Sequence, residues 1–154
     1  MQQQSAGREI EATVARIETS WRGLLDALDG IPNDRLTEPG AVGEWSIKDI
    51  MGHIAFWDEQ ALDAAQRHLA GAPDPEVDVQ TQNEREAAAR RDVPAATQRT
   101  AMEQAHAKTV GLLRSTPEID PRVAGLCGCL EGDTFEHYDE HAADIRVWRA
   151  ANNV

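Results

Sequence analysis

The chain has 154 residues, of which 41% are hydrophobic and 27% charged, an ordinary globular composition that excludes wholesale disorder and predicts one domain over residues 1–154. Its 27 acidic residues outnumber its 15 basic residues, and we expect no nucleic-acid partner, because a net charge of −12 repels phosphate backbones. No run of 18 apolar residues occurs, and residues 1–8 lack the layout of a signal peptide, so we expect no membrane span and a cytoplasmic location.

The first half of the chain carries two helical patterns. Apolar residues at three- and four-residue spacing predict a first helix over residues 4–28. A loop that contains glycine and proline follows, and a second helix is predicted from Ser46 to residue 70. Ser46 is a preferred N-cap residue, and Asp49 stands three positions on, where the acidic member of a capping box belongs.

The second half carries two more long patterns and no clear strand pattern. After a loop, a short helix is predicted over residues 81–91. A third main helix is predicted from Pro94 to residue 115, and a fourth from an N-cap at Asp133 to residue 151. We therefore predict an all-α fold, a four-helix bundle with a long crossover that lets main helices two and three run parallel.

Histidines are the strongest candidates for a functional site. His137 and His141 stand four residues apart, so on a helix their rings share one face at about 6 Å and could hold one metal ion. His53 flanks the apolar stripe of the second helix and would supply a third nitrogen ligand. The alternative for the pair is a solvated or hydrogen-bonded arrangement without a metal, since H-x-x-x-H alone is a weak signal.

Two further histidines have other interpretations. His106 lies within the apolar stripe of the third main helix and competes for the role of third ligand, but a lone histidine there is more often a hydrogen-bonded core residue. His68 lies near the end of the second helix, where a cation suits the negative end of the helix dipole. We expect a capping or surface role for His68.

Aromatic and sulfur side chains give weaker signals. Trp57 follows His53 by one helical turn and is the best candidate for lining a substrate pocket. Tyr138 faces the bundle interior and is either a pocket proton donor or a core residue. Cys127 and Cys129 are expected to be small buried residues of a glycine-rich turn, because no C-x-x-C spacing accompanies them.

Two segments resemble a known family. Trp45 precedes the second helix, Lys48-Asp49 follow, and His53 stands eight residues after the tryptophan, while residues 134–148 contain the histidine pair and a later tryptophan. Together they resemble signatures of the DinB-like superfamily. That superfamily includes N-terminal domains of mycothiol-dependent maleylpyruvate isomerases and ClbS/DfsB-type proteins.

The resemblance implies an up-down-down-up bundle with a divalent metal ion on three histidines, and His53, His137 and His141 match that triad. It further implies a metal-dependent hydrolase or a thiol-dependent transferase that acts on a small molecule, with a low-molecular-weight thiol among its candidate partners, and a homodimer. Imidazole ligands suit zinc or nickel, and we expect one of these two ions. The alternative is a non-catalytic bundle that sequesters a metal or a ligand, as a resistance protein would.

Overall fold

The computed structural model of the chain describes residues 2–117 and 121–154. Within these residues the fold is all-helical, as predicted, with short 3-10 turns at Asn33–Arg35 and Pro121–Val123 and a single isolated β-bridge. None of the helices in this part of the chain is long and apolar enough to cross a membrane. The α-helices are α1 (Gln2–Leu28), α2 (Ile47–Ala70), α3 (Val79–Ala89), α4 (Ala95–Ser115) and α5 (Phe135–Asn152).

Local capping explains where α2 begins and ends. The Ser46 hydroxyl accepts from the backbone N–H of Asp49, and the Asp49 carboxylate accepts from the backbone N–H of Ser46, at 3.2 and 2.8 Å. This is the predicted capping box. Gly71 closes the helix in the left-handed region at φ 69°, a conformation that glycine adopts without strain.

The start of α5 differs from the prediction. Asp133 was expected to be the N-cap residue, and this is wrong, because Thr134 takes that position without a side-chain capping bond. The Thr134 hydroxyl instead donates to the carbonyl of Leu130 in the preceding turn. The Asp133 side chain is consequently free to line the cavity described below.

α1 and α5 pack along each other and run parallel. The Arg16 guanidinium lies 4.0 Å from the centroid of the Phe135 ring. Further along both helices, Arg146 donates to the Gly23 carbonyl at 2.9 Å. Residues later in α1 contact residues later in α5, so the two helices run in the same direction.

α2 and α4 form the second parallel pair. The buried Gln98 side chain lies 2.9 Å from the point where a Cβ would stand on Gly52, so the absence of a side chain at Gly52 lets the helices approach closely. Further along both, the Thr109 hydroxyl donates to the Asp58 carbonyl at 3.5 Å. The long connection that carries α3 makes this parallel pairing feasible.

The two pairs run in opposite directions. Glu18 accepts an ion-pair contact from Arg114 near the end of α4, whereas Trp21, later in α1, stacks on His106, earlier in α4. The directions of the four long helices are therefore up, down, down and up. Their shared core contains fully buried apolar side chains, among them Ile17, Leu24, Ile50, Ile54, Met102, Leu113 and Ile145.

The short helix α3 lies outside this core. It buries none of its side chains, and polar contacts attach it to α2. The side-chain oxygen Oδ1 of Asn83 accepts from the Trp57 indole N–H at 2.8 Å. Just past the helix end, Arg90 donates to the Gly52 carbonyl at 2.7 Å. These contacts hold α3 beside the histidines of α2 and α5.

Candidate metal centre

Three of the five histidines converge where α2 meets α5. The Nε2 atom of His137 lies 2.9 Å from Nε2 of His53 and 3.0 Å from Nε2 of His141. All three ligand atoms fall within 4.8 Å of one another, a spacing that could hold a metal ion. His137 and His141 are buried, and His53 is half-buried.

Helix geometry and aromatic packing set the orientation of the rings. His137 and His141 occupy successive turns of α5, with ring centroids 4.5 Å apart. His53 reaches them from α2, and the Trp45 ring packs against it at 4.7 Å. Trp57, one turn further along α2, presents its ring edge-on to His53 at 6.5 Å.

A carboxylate orients one of the three rings. Nδ1 of His141 lies 3.1 Å from a carboxylate oxygen of Asp144, so the Nδ1–H donates there and leaves the Nε2 lone pair facing His137. Such a carboxylate partner is typical of metal-binding histidines. In contrast, Nδ1 of His137 is buried and has no hydrogen-bond partner among the described residues.

Burial keeps the triad neutral. Burial, helped by the neighbouring ring of His141, lowers the pKa of His53 and of His137 to about 3. The pKa of His141 is also lowered by burial, although Asp144 and Glu140 oppose the shift. Neutral imidazoles with free lone pairs are the form that binds metals.

The donor set fits a divalent ion better than it fits a hydrogen-bonded cluster. His137 Nε2 has two short nitrogen neighbours, but a neutral ring has at most one N–H there, which can be directed to only one of them. Two nitrogens at about 2.0–2.1 Å from one ion lie about 3.0–3.4 Å apart. The two separations from His137, 2.9 and 3.0 Å, are close to this range, so a cation beside His137 Nε2 would find lone pairs on the neighbouring rings at nearly that spacing.

A cavity of about 420 Å³ opens beside the three rings. Trp57, the residue predicted to line a substrate pocket, is among its lining residues. Asp133 and Glu140 supply carboxylates to the same wall, and Asn83 reaches it from α3. The remaining lining residues besides the histidines are Val42, Trp45 and Val79.

Tyr138 lies away from this cavity. Its side chain is fully buried, and its hydroxyl lies 2.7 and 2.8 Å from the two carboxyl oxygens of Asp58 and 3.2 Å from Nδ1 of His106. Burial raises the pKa of the Asp58 carboxyl well above its usual range. Tyr138 thus connects α2, α4 and α5 within the core and is not among the residues that line the cavity.

His106 and His68 stay outside the cluster. His106 stacks on Trp21 with ring centroids 4.0 Å apart, and burial lowers its pKa to about 4, as suits a core histidine. His68 Nε2 lies 2.8 Å from the Arg122 carbonyl and 3.1 Å from that of Ala124, which ties the end of α2 to the loop before α5.

Both cysteines lie in that loop. They are free thiols, with Cys127 buried and Cys129 half-buried. Burial raises the pKa of both thiols, so neither is activated as a nucleophile. The predicted burial therefore holds for Cys127, whereas Cys129 is partly exposed.

Sequence reasoning missed several residues around the site. Asp58 carried a weak signal, a carboxylate inside an apolar stretch of α2. Asn83 carried no signal, because a polar residue on a short polar helix is ordinary. Two acids of α5 also belong to the site, since Asp144 bonds to His141 and Glu140 lines the cavity.

Comparisons with known proteins agree with this fold. A crystal structure of an uncharacterised protein from Escherichia coli UTI89 superposes with a TM-score of 0.80 at 13% identity, covering 94% of this chain and 95% of that one. No curated protein sequence matches the chain. The model of the DinB superfamily matches residues 16–125, a range that includes His53 and ends before α5. The chain therefore belongs to the DinB superfamily.

Proposed function

We propose that the chain binds one divalent metal ion on His53, His137 and His141 and uses it to activate water or a thiol for attack on a small molecule. The observation that carries the proposal is the convergence of three neutral Nε2 atoms at the wall of an open cavity. Three protein ligands are the usual set of a catalytic zinc site, which leaves a coordination position for water or substrate. A cavity of about 420 Å³ suits a small molecule.

At this site the residues of the chain would hold the ion, orient its ligand rings and exchange protons with a bound molecule. When bound, a divalent ion would lower the pKa of a coordinated water or thiol and so make hydroxide or thiolate available near neutral pH. Asp144 holds the His141 ring in one tautomer, and Trp45 packs against His53. Asp133 and Glu140 are the carboxyl groups of the cavity wall available for proton exchange with a bound molecule.

Zinc or nickel is the ion we propose. Imidazole nitrogen suits both ions, and both bind such donors more tightly than manganese or iron does. The reaction would be hydrolysis of a small molecule or transfer to a low-molecular-weight thiol. Both reactions need the same nucleophile-generating site, and they differ only in what occupies the open coordination position.

Metal content of purified variants tests the ligand set. We expect His53→Ala, His137→Ala and His141→Ala each to lose most of the ion that the parent protein holds, as measured by inductively coupled plasma mass spectrometry. His106→Ala is the matched control, since it removes a buried histidine outside the triad and should leave metal content unchanged. A parent protein without metal, or an ion lost from the control and kept in the His53 variant, would contradict the proposal.

Measurements of turnover distinguish an enzyme from a protein that only sequesters a metal or a ligand. Zinc- and nickel-loaded protein would be screened with hydrolysable small molecules, and with low-molecular-weight thiols paired with electrophiles. Activity that requires the metal and disappears in His137→Ala supports the enzyme. A tightly held ion without turnover in either screen would support the non-catalytic, sequestering alternative.

A further inference from the structure

We propose that the cavity beside the triad takes a compact ligand with an apolar or aromatic body and a protonated amine, and that it disfavours ligands carrying carboxylates. The inference deepens the proposed function, because it names the chemical class that the same site would accept. It rests on the walls of the cavity, their charges and the position of the nearest cation.

The body of the ligand would lie against aromatic and aliphatic walls. Trp45 and Trp57 line the cavity with ring centroids 4.7 and 6.5 Å from that of His53, and Val42 and Val79 line it as well. Asn83 accepts the indole N–H of Trp57 at 2.8 Å, which satisfies the polar edge of that ring and holds it in place. Flat or branched apolar groups are the usual partners of such surfaces.

Outside the triad and the ion proposed to bind it, the fixed charges of the wall are negative, so the part of the ligand that lies away from the ion would carry a positive charge. Asp133 and Glu140 line the cavity, and no lysine or arginine does so among the described residues. Burial raises the pKa of the Asp133 carboxyl, so its ionised form is poorly compensated within the protein. An ammonium group beside it would provide that compensation.

The nearest arginine does not reverse this charge. Arg90 lines a separate crevice of about 10 Å³ that shares Trp45, His53 and Asn83 with the cavity. Its guanidinium donates to the Gly52 carbonyl at 2.7 Å and pairs with Glu86 at 3.3 Å. Away from the ion proposed to bind the triad, a carboxylate in the open cavity would therefore meet two carboxylates and no lysine or arginine of the cavity wall.

The charges of the cavity wall also predict which low-molecular-weight thiols bind more tightly. A compact aminothiol could direct its sulfur to the triad and its ammonium to Glu140 or Asp133. A thiol with several carboxylates would carry like charge into the cavity, at a cost in affinity. We therefore expect aminothiols to be better partners than polyanionic thiols.

Matched probes test the inference on the metal-free protein, so the result does not depend on turnover. The probes are 2-phenylethylamine, 3-phenylpropionate and the neutral 2-phenylethanol, which share an aromatic body and differ in charge. Binding is followed through the indole N–H resonances of Trp45 and Trp57, assigned with phenylalanine variants. Each exposed ion pair contributes roughly two- to fivefold in affinity, so with two carboxylates we expect the amine to bind about four- to twenty-fivefold more tightly than the carboxylate.

Charge-removing variants locate the effect. Glu140→Gln and Asp133→Asn should each reduce the preference for the amine by about two- to fivefold, and together should bring it close to one. Glu136→Gln removes the same charge from the exposed face of α5, outside the cavity, and should leave the preference unchanged.

Three results would overturn the inference. They are equal or tighter binding of the carboxylate, an amine preference that survives the double variant, and failure of all three probes to shift the Trp45 and Trp57 signals. Because metal content and turnover are measured separately, an amine preference in a protein without activity would refute only the proposed function. Activity without the preference would refute only this inference.

Discussion

The hydroxyl of Tyr138 provides a sharp test of the core. In Tyr138→Phe the ring volume is kept and only the oxygen is lost, so no sizeable cavity forms. That oxygen lies 2.7–2.8 Å from the Asp58 carboxyl oxygens and 3.2 Å from Nδ1 of His106, and all three side chains are buried. The substitution therefore leaves two buried polar groups without this partner.

The magnitude follows from the number of groups affected. Losing a buried hydrogen bond and leaving its partner unsatisfied costs about 1–3 kcal/mol. The Asp58 contact is short and the His106 contact longer, so we expect the free energy of unfolding to fall by about 2–4 kcal/mol. For a chain of this length that corresponds to a decrease in Tm of roughly 5–15 °C.

Urea or guanidinium unfolding followed by circular dichroism measures this change. Thr100→Ala is the control, because its exposed hydroxyl bonds only within α4, to the Ala96 carbonyl, and its loss should cost less than about 0.5 kcal/mol. In an Asp58→Leu background, Tyr138→Phe should lower the free energy of unfolding by less, because the Asp58 carboxyl that it would leave without a partner is then absent. A cost below about 1 kcal/mol, or an equal cost in both backgrounds, would refute the assignment of this hydrogen bond.

Three further outcomes follow from the described contacts. Asp144→Asn should weaken metal binding about 10- to 100-fold in calorimetric titration, because the ring it orients is a ligand, whereas Asp139→Asn on the exposed face should not. Burial lowers the pKa of His106 to about 4, whereas the value in the unfolded chain is near 6.5. Between pH 6.5 and pH 4 the unfolded state therefore binds a proton that the folded state does not, and the free energy of unfolding falls. Between pH 7 and pH 5 the free energy of unfolding of the parent should accordingly fall by up to about 2 kcal/mol more than that of His106→Phe. Identical pH profiles of the two proteins would refute this. Gly52→Ala places a Cβ 2.9 Å from the buried Gln98 side chain and should destabilise the fold by about 1–3 kcal/mol in chemical unfolding; a neutral effect would mean that Gln98 moves freely.

The sequence by itself determined the features that depend on near neighbours. Three- and four-residue spacing of apolar side chains predicted the long helices within a few residues of their observed bounds. The capping box of Ser46 and Asp49 was readable because both of its members stand within four residues. The common face of His137 and His141 follows from helix periodicity for the same reason.

Tertiary structure decided which side chains meet across helices. Asp133 satisfied the local preference for an N-cap, but the turn before α5 placed Thr134 there and left the carboxylate of Asp133 facing the cavity. The interior bonds of Tyr138 reach residues 80 positions away on α2 and 32 positions away on α4. No periodicity in the chain encodes such pairings, because they depend on how the helices are rotated and aligned.

The surroundings of the histidines show the same division. Composition indicated an acidic chain, but only the packing of α5 placed Glu140 at the cavity wall and Asp144 beside a histidine ring. Likewise, Asn83 meets Trp57 only because the crossover lays α3 against α2. Helical periodicity assigns a residue to a face within one helix, whereas its partner across the bundle is set by the packing angle and register of helices that are distant in the chain.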